Sequence, residues 1–341
     1  MGKIKNFLTR KGVVLSAKTY FIDCMSAMAQ GLFASLLIGT IFSTVSKYTG
    51  IELFETINTF AKQATGAAIG VAIALALKAP NLVVFSAASI GLMANALHSA
   101  GPLGAFIAVI VSVELGKLVS KETRVDILVT PATTILAGAL TSLAVCSHIG
   151  RLMTWLNNFI TTATQLRPLL MGVIISVVVG VVLTLPISSA ALCASIPITS
   201  IAGGAAVAGC CAQMIGFAVI SFRENRWNGL LAQGLGTSML QMGNIVKKPL
   251  IWVPATLASA ITGPLSTVVF KLECNGVAAG MGTCGLVGPI GVLQATSEKD
   301  AFFWIGFILI CFILPALLSL LFNEIMRKAR LIKTGDMKLD L

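Results

Sequence analysis

The stretch FFWIGFILICFILPALLSLLF, residues 302–322, contains no charged side chain and is long enough to cross a lipid bilayer as one helix. The whole chain has the same character, since 56% of its 341 residues are hydrophobic, 11% are charged and the mean hydropathy is +0.93. A soluble protein carries charges at about a quarter of its positions. The composition therefore predicts an all-α fold, a polytopic transmembrane helical bundle.

Apolar runs of roughly spanning length follow one another and are separated by glycine, proline or charge. Short basic clusters fall between alternate runs and at both ends, as expected for loops on the cytoplasmic side. An even number of crossings then places both termini in the cytoplasm. We predict about ten crossings, at residues 21–46, 57–78, 81–98, 102–119, 127–147, 167–185, 187–201, 203–222, 250–270 and 302–326.

The formal net charge of +11 is concentrated at helix ends and at the two termini. Residues 1–20 mix lysine and arginine with apolar side chains, which predicts an amphipathic cytoplasmic helix lying on membrane lipid. Residues 21–326 are predicted to form a single transmembrane transporter domain, and residues 327–341 a basic cytoplasmic tail. The basic clusters are not interleaved with aromatic residues, so we expect no nucleic acid partner.

Two stretches do not fit as crossings and are predicted to be re-entrant hairpins. Residues 229–246 lie between two basic clusters assigned to the inside, and residues 275–296 are apolar but rich in glycine. Irregular backbone at membrane depth is tolerated only when it is buried in protein or lines a wet cavity. Such loops therefore indicate a solute path, although a glycine-rich loop lying at the membrane interface explains the second stretch as well.

An internal repeat is a further hypothesis. With an offset of 106 residues, Gly66 falls on Gly172 and Pro80 on Pro186, so that residues 57–121 correspond to residues 163–227. In a chain so rich in alanine, glycine and serine, chance matches of this kind are also common.

Burying a polar side chain in a bilayer costs free energy, so polar residues within apolar segments indicate a function or a specific contact. In the helices, Asp23, Gln63, Asn95 and Gln213 are candidates for contact with a solute. Asp23 is equally explained as an interfacial carboxylate paired with an inner-face cation. The amides are equally able to join one helix to another.

The two predicted hairpins supply the remaining candidate residues for substrate binding. Amides and a hydroxyl in the first hairpin present both donors and acceptors, which suits a neutral polyol. The second hairpin exposes mainly backbone groups. The candidates are Gln233, Ser238, Gln241 and Asn244 in the first hairpin, and Asn275, Gly276, Gly280 and Gly282 in the second.

The sequence has no motif for covalent catalysis, and we predict no cofactor and no metal. None of the eight cysteines has a zinc-type spacing. Cys274 and Cys284 flank a loop assigned to the outside, where conditions allow a disulfide between them. Whether the chain belongs to an enzyme is left open.

The basic amphipathic N-terminus, about ten helices, the stretch NGVAAGMGTCGLVGPIGV (275–292) before the last helix and the short basic tail together resemble a known family. They resemble the membrane-embedded enzyme IIC proteins of the bacterial phosphotransferase system. The chain is similar, more narrowly, to the branch that includes the perfringolysin regulator-like proteins. It departs from the glucose-type pattern because residues 275–296 lack a Gly-Ile-Thr-Glu-Pro motif.

The resemblance implies a sugar permease of the bacterial plasma membrane, a homodimer whose substrate is held between the hairpins. It further implies separate IIA and IIB phosphotransferase proteins as partners. The function expected is thus transport of a small polar solute by alternating access. The alternative is a membrane-bound regulatory or sensor protein that binds a solute without moving it.

Overall fold

The computed structural model describes residues 7–8, 10–13, 16–195, 200–296 and 299–339. Over these residues the chain is helical and contains no strand, which confirms the all-α prediction. The chain divides into two compact units. Unit 1 comprises Met1–Gly39 and Leu53–Met153, and unit 2 comprises Thr40–Glu52 and Thr154–Leu341.

Helices α1 to α6 begin in or at the edge of unit 1, and the ends of α1 and α6 continue into unit 2. Proline stands before or at the start of several helices along the chain, where its missing N–H costs no hydrogen bond. The bounds are α1 Thr19–Ser46, α2 Glu52–Gln63, α3 Thr65–Ala76, α4 Asn81–Ala96, α5 Gly101–Val119 and α6 Asp126–Ala163.

Unit 2 contains the remaining helices, several of them short. Their bounds are α7 Pro168–Thr184, α8 Ser189–Ser195, α9 Ser200–Ile220, α10 Phe222–Leu231, α11 Met242–Lys247, α12 Pro249–Val269, α13 Val287–Ala295 and α14 Ala301–Lys328.

Close helix packing in unit 1 depends on glycine. A Cβ atom added at Gly70 would lie 2.2 Å from the carbonyl oxygen of Ala87, and one at Gly66 would lie 2.4 Å from that of Gly91. Helices α3 and α4 therefore touch backbone to backbone. Van der Waals packing of this kind joins helices where the hydrophobic effect cannot, because lipid is as apolar as the side chains.

Charged side chains hold the N-terminal segment in place within unit 1. Lys117 is only 3% exposed, and its Nζ donates to the carbonyl oxygens of Gly12 (2.6 Å) and Leu77 (3.0 Å). Lys11 and Arg10 both form ion pairs with Glu122. Much of the predicted helix at 1–20 lies outside the described residues, so that prediction is untested.

Helix α9 is the centre of unit 2, and 89% of its most apolar window is buried. Its stretch AGGAAVAGCC carries small side chains, which let other segments approach closely. A Cβ atom at Gly209 would lie 1.9 Å from the carbonyl oxygen of Ser176 on α7, and one at Gly203 would lie 1.8 Å from that of Cys274. Helix α9 therefore packs directly against α7 and against the chain that leads into residues 275–296.

The described helices that are both long and apolar are fewer than the ten predicted crossings. In the part of the chain that is described, seven helices are long and apolar enough to span a membrane, or eight if α2 and α3, bent by 51°, count as one. Helix α7 has 17 residues and is slightly shorter than that standard. Within the predicted crossing at 187–201 the structure describes α8, which has seven residues, whereas residues 196–199 lie outside the description, so this crossing stays a prediction.

Both predicted hairpins are broken into short helical pieces within unit 2, and none of the pieces is of spanning length. Residues 229–246 contain the end of α10, short turns at Ala232–Gly236 and Ser238–Gln241, and α11. Residues 275–296 contain short turns at Gly276–Gly280 and Cys284–Leu286, followed by α13. Their re-entry into the membrane stays a prediction.

The disulfide considered between Cys274 and Cys284 is not formed, because both thiols are free and buried. The Cys274 sulfur packs against Gly291, where an added Cβ atom would lie 2.9 Å from it. The two cysteines therefore act as small apolar residues in the packing of unit 2.

Candidate functional site

The two broken segments of unit 2 meet each other and α9. The Thr283 hydroxyl in the second segment donates to the carbonyl oxygen of Gly234 in the first at 2.5 Å. Gly282 packs on α9 so closely that an added Cβ atom would lie 2.8 Å from the carbonyl carbon of Cys210. The structure thus brings together two residues, Gly234 and Thr283, that are 49 positions apart in the sequence.

Gln213, in the middle of α9, is fully buried and is the centre of a polar cluster. Its Oε1 accepts hydrogen bonds from Trp252 Nε1 at 3.0 Å and from Thr184 Oγ1 at 3.3 Å, and its Nε2 donates to Thr256 Oγ1 at 3.2 Å. The Thr184 hydroxyl also bonds to that of Ser238 at 2.8 Å. We call these five residues the Gln213 cluster.

A cavity of about 300 Å³ adjoins the Gln213 cluster. Trp252 and Thr256 belong to the cluster and also line the cavity, whose other walls are apolar residues of α7 and α12. Small-molecule sites are typically apolar or aromatic pockets with a few converging polar groups. The cavity matches the apolar part of this description, but its accessible surface is almost wholly apolar, and the hydrogen-bonding groups of Gln213, Thr184 and Ser238 lie buried behind its wall.

The amides of residues 229–246 form a ladder with one another. Gln233 Nε2 donates to Ser221 Oγ at 2.9 Å, Gln241 Nε2 donates to Gln233 Oε1 at 3.0 Å, and Asn244 Nδ2 donates to Gln241 Oε1 at 2.9 Å. Gln233 and Gln241 are fully buried, and Asn244 is 8% exposed. We call Ser221, Gln233, Gln241 and Asn244 the amide ladder.

The amide ladder also holds the C-terminal tail. Gln241 Nε2 donates to the carbonyl oxygen of Met337 at 3.0 Å, and Asn244 Nδ2 donates to that of Lys338 at 2.8 Å. Asn225 bonds the same stretch twice, donating to the Met337 oxygen and accepting from the Leu339 amide, both at 2.8 Å. The Met337 side chain is completely buried.

An ion pair fixes the tail just before this contact. Lys248 Nζ lies 2.5 Å from Asp336 Oδ2, and the Lys333 backbone amide donates to the same oxygen at 2.6 Å. Burial alone would raise the pKa of the Asp336 carboxyl, but the hydrogen bonds and the charges of Lys248 and Lys333 outweigh it and lower that pKa. Asp336 is therefore ionised at neutral pH and holds the tail in this form.

The glycine-rich segment, residues 275–296, makes contacts through its backbone as well as through side chains. Ser189 Oγ donates to the carbonyl oxygen of Gly280 at 2.7 Å, which joins the segment to α8. Gly276 and Gly282 have φ angles of 57° and 53°, a conformation that glycine adopts without strain. Asn275 is exposed, and its Oδ1 accepts from the backbone amide of Ser200 at the start of α9.

Comparison with known protein families decides the identity of the chain. Residues 22–339 match the family model described as "Phosphotransferase system, EIIC". The chain belongs to the phosphotransferase system EIIC family. No curated protein and no solved structure matches it.

Membership of the EIIC family gives the chain a broad function. It is a multi-pass membrane protein and the membrane component of a sugar-type phosphotransferase-system transporter. Within the described ranges no group of three or more metal-ligating side chains lies together.

Three of the predicted site residues of this EIIC chain, Asp23, Gln63 and Asn95, lie in unit 1. The side chains of Asp23 and Gln63 are exposed. Asn95 is half-buried, and its Oδ1 is a buried acceptor that has no hydrogen-bond partner within the described part of the chain. Their contact with a solute stays a prediction.

Sequence reasoning missed Thr184, Trp252 and Thr256 in the Gln213 cluster, and Asn225 beside the tail. A threonine in an apolar run carries no signal, because its hydroxyl usually bonds to its own helix. A tryptophan close to a pair of lysines fits the aromatic belt at a membrane interface, which explains it without a site.

Proposed function

We propose that this EIIC chain binds and translocates a sugar, and that the sugar binds at the Gln213 cluster in unit 2. The observation that carries the proposal is the fully buried amide of Gln213, which bonds hydroxyl and indole groups beside a cavity. A polar group at this depth in a membrane helix is costly unless it serves packing or a ligand.

The chemistry of the cluster suits a neutral polyol. Amide and hydroxyl groups both donate and accept hydrogen bonds, as sugar hydroxyls do. A sugar hydroxyl at Thr184 or Thr256 can take over a bond that these groups now make to Gln213. Within the part of the chain that the structure describes, no ionised side chain bonds to the five cluster residues, so the cluster favours an uncharged ligand.

The arrangement of unit 2 supports movement of the solute by alternating access. Ser238 links the cluster to the first broken segment, and Thr283 links that segment to the second. Broken helices around a binding site are the usual means by which transporters expose it alternately to the two sides. A small shift of either segment would alter the cluster through the Ser238–Thr184 bond.

We propose the remaining partners and the location from the family. Separate IIA and IIB proteins would phosphorylate the sugar as it emerges, the chain would lie in the bacterial plasma membrane with both termini in the cytoplasm, and it would act as a homodimer. Uptake by proteoliposomes that requires added IIA and IIB would support the coupling. Uptake at the same rate without them would contradict it.

The test of the solute site uses two isosteric changes that each remove a threonine hydroxyl. Thr184→Val breaks the bonds to Gln213 and Ser238. The matched control Thr134→Val removes a buried hydroxyl that bonds to the carbonyl of Thr130 in its own helix. A screen of sugars by thermal shift on the purified protein first identifies a ligand. Thr184→Val is then expected to weaken its binding about tenfold, and Thr134→Val to leave it unchanged.

The results distinguish the alternatives. Equal binding by both variants would show that the solute does not contact the Gln213 cluster. Sugar binding without uptake, even with IIA and IIB present, would favour the sensor function over transport.

A further inference from the structure

A second cavity of unit 2, of about 480 Å³, opens at the C-terminal end of α14. It lies between that helix end, α10 and the first residues of the tail. Five of its eight lining side chains are cations and one is a carboxylate. The charged residues are Arg223, Glu324, Arg327, Lys328, Arg330 and Lys333.

The charges in this cavity are only partly neutralised. Glu324 pairs with Arg223 at 3.1 Å, and Arg327 pairs with Glu224 at 2.9 Å. For Lys328, Arg330 and Lys333, no side-chain ion pair is present within the described ranges. These three residues therefore add positive charge that no side-chain ion pair of the described chain neutralises, although Lys333 is also attracted by a nearby carboxylate, that of Asp336.

Arg327 is held in place and retains an unused donor. Its side chain is 10% exposed, and its guanidinium donates to Glu224 Oε1 at 2.9 Å and to Thr334 Oγ1 at 3.3 Å. Its Nε is buried and has no hydrogen-bond partner in the portion of the chain that is described. A buried donor without a partner destabilises the fold unless a ligand or water satisfies it.

The tail forms one wall of the cavity and is itself fixed. Ile332, which lines the cavity, is 2% exposed, and Met337 beyond it is completely buried. The contacts of Asp336, Met337 and Lys338 with Lys248 and the amide ladder hold this wall in place. The cations thus converge from a helix end and from a docked segment of chain.

We propose that this cavity binds the phosphate group of an anionic ligand, either a lipid headgroup or a soluble phosphate compound. Guanidinium and ammonium groups are the side chains that bind phosphate most strongly. Cations at a helix C-terminus are also stabilised by the helix dipole. That effect does not explain why Lys333, outside the helix, faces the same cavity. The proposal uses no residue of the Gln213 cluster and is independent of solute transport.

The test compares two double variants of the full chain that remove the same charge. Arg330→Gln with Lys333→Gln removes two unpaired cations from the cavity. Lys62→Gln with Arg151→Gln removes two exposed cations of unit 1 and is the control. The first arm measures binding of inorganic phosphate at constant ionic strength by thermal shift. The second arm measures phosphatidic acid retained from nanodiscs of neutral lipid by native mass spectrometry.

The expected result is that the cavity variant binds at least about tenfold more weakly than both the control and the unaltered chain. Binding in the first arm identifies a soluble phosphate ligand, and binding in the second arm alone identifies a lipid headgroup. Failure to bind in both arms, or equal weakening by the two double variants, would overturn the proposal, since only overall charge would then matter.

Discussion

The two broken segments of unit 2 are both buried in the protein, but they differ in which of their groups make the contacts. Residues 229–246 bury polar side chains and satisfy them with one another and with the tail, whereas residues 275–296 bury backbone and carry few polar side chains. The first segment therefore depends on side-chain chemistry and the second on the absence of side chains. Similar breaks in helical structure arise from two different physical causes.

The largest effect is expected where the glycine-rich segment has least room. Gly282→Ala adds a Cβ atom 2.8 Å from the Cys210 backbone at a φ of 53°, so clash and backbone strain act together. We expect a loss of about 3–4 kcal/mol of stability.

The matched control is Gly276→Ala, which has a φ of 57° but nothing within 4 Å of the added atom. It should lose only about 1 kcal/mol from backbone strain. Thermal unfolding in detergent measures both variants. Equal losses would mean that close packing does not determine the glycine at position 282.

The next largest effect is expected in the amide ladder. Gln241→Leu removes the central amide and leaves Gln233 Oε1, Asn244 Nδ2 and the Met337 carbonyl without that partner. A loss of about 2–3 kcal/mol follows from the buried unpaired groups. Release of tail residues by carboxypeptidase should become faster.

The exposed Gln165 serves as the control for this change, because Gln165→Leu alters an amide outside the ladder. It should leave both the unfolding temperature and the tail digestion nearly unchanged. If carboxypeptidase digested the tail of Gln241→Leu no faster than that of the unaltered chain, the amide ladder would not be what holds the tail.

A smaller effect is expected from the ion pair that precedes this contact. The pKa of Asp336 lies below its ordinary value of 3.8, so the folded state favours the ionised form. Its stabilisation is present above that ordinary value and is lost as the pH falls below it towards the folded-state pKa.

Asp336→Asn should therefore cost about 1 kcal/mol at neutral pH. It should also flatten the decline of the unfolding temperature that the unaltered chain shows between about pH 5 and pH 3. Identical pH profiles for the two proteins would show that Asp336 does not hold the tail.

The smallest effect is expected from a polar side chain of the glycine-rich segment. Asn275→Ala removes one exposed acceptor from the Ser200 amide, and water can replace it. A cost of about 0.5–1 kcal/mol in the unfolding measurement is expected. A loss as large as that of Gln241→Leu would remove the contrast between the two segments.

The sequence predicted the class of the protein and the places where its helices break. The uncharged run at 302–322 became part of α14, and the glycines and amides of 229–246 and 275–296 marked the two broken segments. Hydropathy did not show that the run at 187–201 contains a short helix, α8, of seven residues. It also gave no sign of the docked tail, whose residues read only as a basic terminus.

The sequence alone determined that the surface of this protein faces lipid. Hydropathy and charge are properties of each residue and do not depend on which residues come into contact in the fold. Only the tertiary structure decided which polar groups meet: Gln213 with Thr184 and Trp252, and Gln241 with the carbonyl oxygen of Met337, which is 96 residues away. A hydrogen bond acts over about 3 Å and requires a set direction. The pairing of polar groups therefore depends on how the backbone folds, which hydrophobic periodicity does not specify.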